Sequence, residues 1–147
     1  MIVTMKLRAS MWGVVLFLFA VGCRESSDNA LSKSITAQIR SRPVLDLRKV
    51  ANFSWDKVYI VIPYTSEEWC AKELGRECSK ISHYEMNLQD RVYLFVFVNS
   101  GRVVRVAEVS AGTMSFGPHA SRGFNKANAM FRVEPWQDLR SLQPMSE

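Results

Sequence analysis

Only two histidines, His83 and His119, and three cysteines, Cys23, Cys70 and Cys78, occur in the 147 residues. So few imidazole and sulfur donors leave little from which to build a metal centre. One combination, Cys70, Cys78 and His83, has the spacing C-x7-C-x4-H, which matches no zinc-site pattern. No Lys/Arg cluster is present, so nucleic acid is not an expected partner. The apolar run from Met11 to Gly22 is too short for a bilayer core of about 30 Å, which takes roughly 20 residues to cross. A nucleophile elbow is missing as well. In Gly112-Thr113-Met114-Ser115-Phe116-Gly117 the position two before the serine is Thr113, where G-x-S-x-G requires glycine. These absences set the expectation: no enzyme, no catalytic residue, no metal and no cofactor.

What is present starts with a leader. Lys6 and Arg8 precede the uncharged run, and small residues follow it, the anatomy of a secretory signal. Its end, Ala20-Val21-Gly22-Cys23, resembles the lipobox of bacterial lipoproteins, with Ala20 where that pattern usually opens with leucine. The resemblance implies cleavage after residue 22 and lipid on Cys23. Several acyl chains give lasting attachment, since each buried methylene contributes about 0.8 kcal/mol and one chain alone is marginal. Arg24 stands where an inner-membrane retention signal carries aspartate, which points to the periplasmic face of the outer membrane. Two other readings of the leader stay open, a cut elsewhere that frees a soluble periplasmic protein and an uncleaved anchor. Without residues 1–22 the charge falls from 19 − 14 = +5 to 17 − 14 = +3. Residues 23–30, with Arg24-Glu25-Ser26-Ser27-Asp28 after the cysteine, read as a flexible tether, and residues 31–147 as one domain with one core.

Within that domain the stretch from Phe53 to Gly75 has a complete structural grammar. Val58 to Ile62 is an unbroken run of β-branched and aromatic residues, which predicts an interior strand buried on both faces. Pro63 ends its pairing. Thr65 and Glu68 have the spacing of a capping box, Tyr64 and Trp69 that of a hydrophobic staple, and Gly75 suits a helix terminus. Leu31, Ile35 and Ile39 predict a helix that stops before Pro43. Val92 to Val98, Asn99-Ser100-Gly101 and Val103 to Val109 predict a β-hairpin whose first arm is central. The resulting fold class is α+β, an antiparallel sheet with helices packed on one face in a two-layer single domain. Residues 77–90 read as loop or weak edge strand, 112–128 as a long irregular loop, Met130 to Val133 as a short last strand ended by Pro135-Trp136, and the rest as a polar tail.

Cys70 and Cys78 in an oxidising compartment read as a disulfide. Trp55, Asp56 and Tyr64 near the strand ends, with Phe116, His119, Arg122 and Phe124 in the long loop, form the expected binding surface; packing of the aromatics and a solvent loop are the alternatives. Trp55-Asp56-Lys57-Val58-Tyr59, Pro63-Tyr64-Thr65 and Phe95 to Gly101 together resemble a group of small bacterial lipoproteins of unknown function, over roughly residues 45–109. That resemblance implies a common domain and no activity. The expected function is a membrane-anchored, non-enzymatic protein-binding module of inhibitor, immunity or envelope-accessory type, with a protein partner in the periplasm or envelope. The alternative is a small periplasmic enzyme using His83 or His119, with Glu85 or a thiol.

Overall fold

The computed structural model describes residues 28–146; the leader, Cys23 and most of the tether lie outside the described residues. Asp28 opens the fold, its carboxylate accepting from the Leu31 N–H at 3.0 Å to cap α1, Asn29–Ser41. Its own N–H donates to the Val106 carbonyl at 2.9 Å. Residues 28–30, expected in the tether, therefore belong to the domain. Leu31, Ile35 and Ile39 are buried as the four-residue spacing predicts. Arg42, held extended by the proline after it, ends the helix with φ −123° and ψ 147°. No helix among the described residues is long and apolar enough to cross a membrane.

The chain forms a single α+β domain. Its strands divide into two four-stranded sheets where the sequence suggests one. One has the order β4-β3-β2-β6, from β2 (Lys57–Val61), β3 (Val92–Asn99), β4 (Arg102–Ser110) and β6 (Arg122–Asn125), all antiparallel. The other has the order β1-β7-β8-β5, from β1 (Val44–Asp46), β5 (Met114–Ser115), β7 (Met130–Trp136) and β8 (Leu139–Pro144), with one parallel pair, β5 and β8. A four-residue helix, α2 (Leu47–Val50), capped by Asp46, follows β1.

Because strand residues alternate between faces, β2 contributes to two cores. Val58 and Ile60 join Phe95, Phe97, Phe124, α1 and the inner face of the second sheet. Tyr59 and Val61 join Leu94, Val96, Cys70, Leu74, Ile81 and Met86 under α3 (Glu67–Leu74) and two 3₁₀ segments, Gly75–Lys80 and Ser82–Tyr84. Helices thus cover opposite faces of the β4-β3-β2-β6 sheet, a finer arrangement than one covered face, because both faces of β2 and β3 are apolar. The hairpin is as the sequence predicts: Ser100 and Gly101 take φ 49° and 76° at its tip, and Asp56 accepts the Ser100 N–H at 2.8 Å.

The outer edge of β4 is closed group by group. Val103 donates its N–H to Glu77 and accepts from Lys80, Val106 accepts from Asp28, and the Glu108 N–H donates to Ser32 Oγ. An edge so occupied is not a template for another strand.

Three local expectations are corrected. Ser66, not Thr65, caps α3, accepting from the Trp69 N–H at 3.2 Å, because the Thr65 hydroxyl is already engaged by the Ile62 carbonyl and Ser121. The capping box and the Tyr64–Trp69 staple therefore do not form; Trp69 instead lies edge-on to Tyr59 with centroids 6.0 Å apart. Residues 112–128 are not an irregular loop but carry β5, β6 and a 3₁₀ turn, Lys126–Asn128. The tail after Leu139 is β8, with Ser141 and Leu142 buried, and β7 runs through Pro135. The proline is tolerated because bonding on that side of β7 ends at Val133, whose N–H donates to the Pro43 carbonyl at 2.8 Å, leaving β7 a free edge beyond it.

Gly123 faces Tyr59 across the β2–β6 pair, and a Cβ there would come within 2.5 Å of Lys57 Cε and 2.8 Å of the Tyr59 ring. The lysine tip can move; the ring cannot, since its hydroxyl donates to the Glu73 carbonyl. Gly123→Ala is expected to lower stability by about 1–3 kcal/mol in urea unfolding, the cost of overpacking. An unchanged midpoint would show that β6 yields freely.

Candidate functional site

Where β2 hands over to α3 the backbone does something uncommon. Tyr64 adopts φ 62° and leaves its side chain 65% exposed. Left-handed backbone at an aromatic residue costs of order 1–3 kcal/mol and persists only where neighbours impose it. Here they do: the Ile62 N–H donates to Ser121 Oγ at 2.8 Å, and Thr65 Oγ1, hydrogen-bonded to Ser121, donates to the Ile62 carbonyl at 2.6 Å. The turn is clamped from β6's side, and Tyr64 is presented to solvent.

Beside this turn opens a hollow of about 390 Å³. Val61, Cys70, Ile81 and Met86 form its apolar floor, and Thr65, Ser66, Ser79, Ser82 and Asn87 its polar rim. Cys70 on α3 and Cys78 on the first 3₁₀ segment are joined by a disulfide with Cα atoms 5.5 Å apart, so the bridge forms one wall. Its size lies in the range of sites that take a small ligand or an inserted side chain. Met86, an unbranched side chain whose sulfur accepts from Gln89 Nε2, suits a surface that must adapt. Tyr64 directly precedes the rim residue Thr65, whereas Leu88, 72% exposed, lines a separate hollow with His83, Tyr84 and Arg91.

The surroundings are acidic. From 67 to 90 the chain carries Glu67, Glu68, Glu73, Glu77, Glu85 and Asp90 against Lys72, Arg76 and Lys80. Glu77 is held below the usual carboxylate range, first by the Val103 N–H and then by Lys80 at 3.1 Å.

The expected binding residues do not converge. Trp55 is 3% exposed, donates Nε1–H to the Ala51 carbonyl and lies edge-on to Phe97. Phe116 and Phe124 are 1% and 4% exposed and cluster with Phe131 between the sheets. All three are core, because each points inward from a paired or tightly turned segment. Asp56 locks the hairpin tip. Arg122 stays exposed over Phe124 at 4.8 Å, and His119 packs on Phe116 with Nε2 3.1 Å from Gln143 Oε1. Gln143 in turn donates to Ser141 Oγ. Of the expected binding residues only Tyr64 is next along the chain to the hollow's rim, where it precedes Thr65.

His83 is exposed, its ring 4.1 Å from Tyr84, and makes no hydrogen bond with Glu85 among the described residues. Since Cys70 and Cys78 are bonded to each other, neither thiol is free as nucleophile or metal ligand. Ile81 and Met86 carry no sequence mark because no period connects them; a cysteine pair flanking isolated apolar residues is the one local signal. The fold and the hollow together define a disulfide-stapled α+β domain with an apolar recess on its acidic side. No protein-family model, no curated protein and no solved structure matches the chain.

Proposed function

We propose that the protein is a non-enzymatic protein-binding module of the bacterial envelope, held at the periplasmic face of the outer membrane by lipid on Cys23. The partner docks over the hollow, inserting an apolar side chain against Met86 and the disulfide while Tyr64 packs at its edge. The observation that carries this reading is the exposed, conformationally strained Tyr64 beside an apolar recess. Interfaces concentrate their energy in aromatic anchors and small dry pockets of this kind. The acidic surroundings favour a basic partner, for which a cell-wall hydrolase or an incoming toxin is the fitting class. The alternative, an enzyme built on His83 or His119, has less support, since His119 is tied to a neutral amide and His83 faces solvent.

Capture from bacterial envelope extracts with the wild-type mature chain, and with Tyr64→Ala, tests the reading. A partner retained by the wild type is expected to bind the variant about 30-fold or more weakly, the loss of a hot-spot contact. Equal retention by both proteins, or no retained protein at all, would remove the hollow as the docking site. Intact mass of the membrane-purified protein, with and without Cys23→Ser, checks the anchor separately.

A further inference from the structure

Charge on the folded domain is segregated. On the side opposite α3, the outward residues of α1 are Asn29, Ala30, Lys33, Ser34, Ala37, Arg40 and Ser41, with no acid among them. Beyond the helix end, Arg42 and Lys49 line a shared groove of about 620 Å³ floored in part by Val44, Val50 and Met130. Neither side-chain cation makes a hydrogen bond or close ion pair among the described residues, although Lys49 lies near enough to Asp46 to help lower its carboxyl. The acids that border this surface are Asp28, which caps α1 and pairs with Arg105 at 3.5 Å, Asp46 and Glu108. Asp46 is taken up by Arg48, which meets it through two hydrogen bonds of 2.8 Å and depresses its carboxyl below the ordinary range. Lys33 and Arg40 flank small side chains on the helix face, and Arg40, whose Nη2 donates to Thr113 Oγ1 at 3.4 Å, stays exposed.

The chain outside the fold says where that plane is. Helix α1 begins at Asn29, so only six peptide steps separate it from Cys23. Even fully extended, they reach about 20 Å, close to the length of α1 itself. A domain on so short a leash stays within reach of the surface that holds the lipid.

We propose that the α1 face, through Lys33, Arg40, Arg42 and Lys49, lies on an anionic phospholipid surface, turning the acidic hollow away from the bilayer. The inference rests on the anchored reading above for its biological setting, and its physics can be tested without the anchor. Orientation follows from charge: cations near an anionic leaflet are attracted within about a Debye length, and the α3 side is repelled.

The test uses the mature chain with Cys23→Ser, so that acyl chains do not mask a weak contact, and measures co-sedimentation with vesicles. Phosphatidylcholine vesicles containing phosphatidylglycerol are expected to bind it, pure phosphatidylcholine vesicles are not, and added salt weakens binding. Lys33→Gln, Arg40→Gln, Arg42→Gln and Lys49→Gln together are expected to lower partitioning by about five-fold per cation. Lys72→Gln with Arg76→Gln, on the α3 side, is expected to leave it unchanged. No preference for anionic vesicles, equal loss from the α3-side pair, or competition by dilute inorganic phosphate at constant ionic strength would overturn the proposal, the last in favour of a discrete anion site. Failure here with lipid present on Cys23 would reject the orientation and keep the anchor; missing lipid with intact vesicle binding would do the reverse.

Discussion

Phe116→Ala is expected to destabilise the domain by about 3–5 kcal/mol, the range for removing a buried aromatic ring. The ring is 1% exposed and meets Phe124 and Phe131 edge-on with centroids 6.1 and 6.3 Å away, where the two sheets face each other. Few substitutions distinguish the competing readings of residues 112–128 so widely. A phenylalanine on a mobile contact loop would change stability by no more than about 0.5 kcal/mol. Urea unfolding should show a large fall in midpoint with little change in slope, and the parallel variant Arg122→Ala, at an exposed position, should barely move it. A small effect of Phe116→Ala would mean that the sheets do not share this core.

Replacing Cys70 and Cys78 together by serine is expected to remove about 2–3 kcal/mol, the loop-closure entropy for residues eight apart in sequence. The consequence exceeds global stability. The segment from Gly75 to Tyr84 is built of 3₁₀ turns rather than a continuous helix, and it supplies Ile81 and the rim residues Ser79 and Ser82. With the bridge gone it should open before the sheets do, visible as faster amide exchange over residues 75–87 than in β2 and β3. Capture of a partner should weaken in step. If exchange there and stability are both unchanged, packing of Leu74, Ile81 and Met86 suffices and the disulfide is dispensable.

Several elements were legible because their information is local. Val58 to Val61 lie in an interior strand, one residue shorter than the run to Ile62, since an unbroken apolar run is stable only with both faces covered. Asn99-Ser100-Gly101 became a hairpin tip since left-handed dihedrals suit that turn. Leu31, Ile35 and Ile39 lie four apart and dock as one stripe. Gly75 ends α3 at φ 56°. The cysteine pair also closed as expected.

Other elements carried no such mark. β5 is two residues long and β6 is Arg-Gly-Phe-Asn; neither has a period to read. Their conformation is imposed by β8 and β2, partners 26 positions away for β5 and 62 to 68 for β6. β8 contains Arg140, Ser141 and Gln143, which look like tail residues until Leu142 is seen to seal the core. The α3 cap moved by one residue because Ser121, far along the chain, claims the Thr65 hydroxyl.

By itself, then, the sequence determined the class of fold, its central hairpin and buried strand, the docking helix and the disulfide, all set by contacts between near neighbours or by the apolar content of one segment. The tertiary structure alone decided that there are two sheets, that Trp55, Phe116 and Phe124 are core rather than surface, and that Tyr64 stands beside a recess. The physical reason is burial: whether an aromatic side chain anchors a core or a partner depends on what the rest of the chain places over it, and that is a property of long-range pairing.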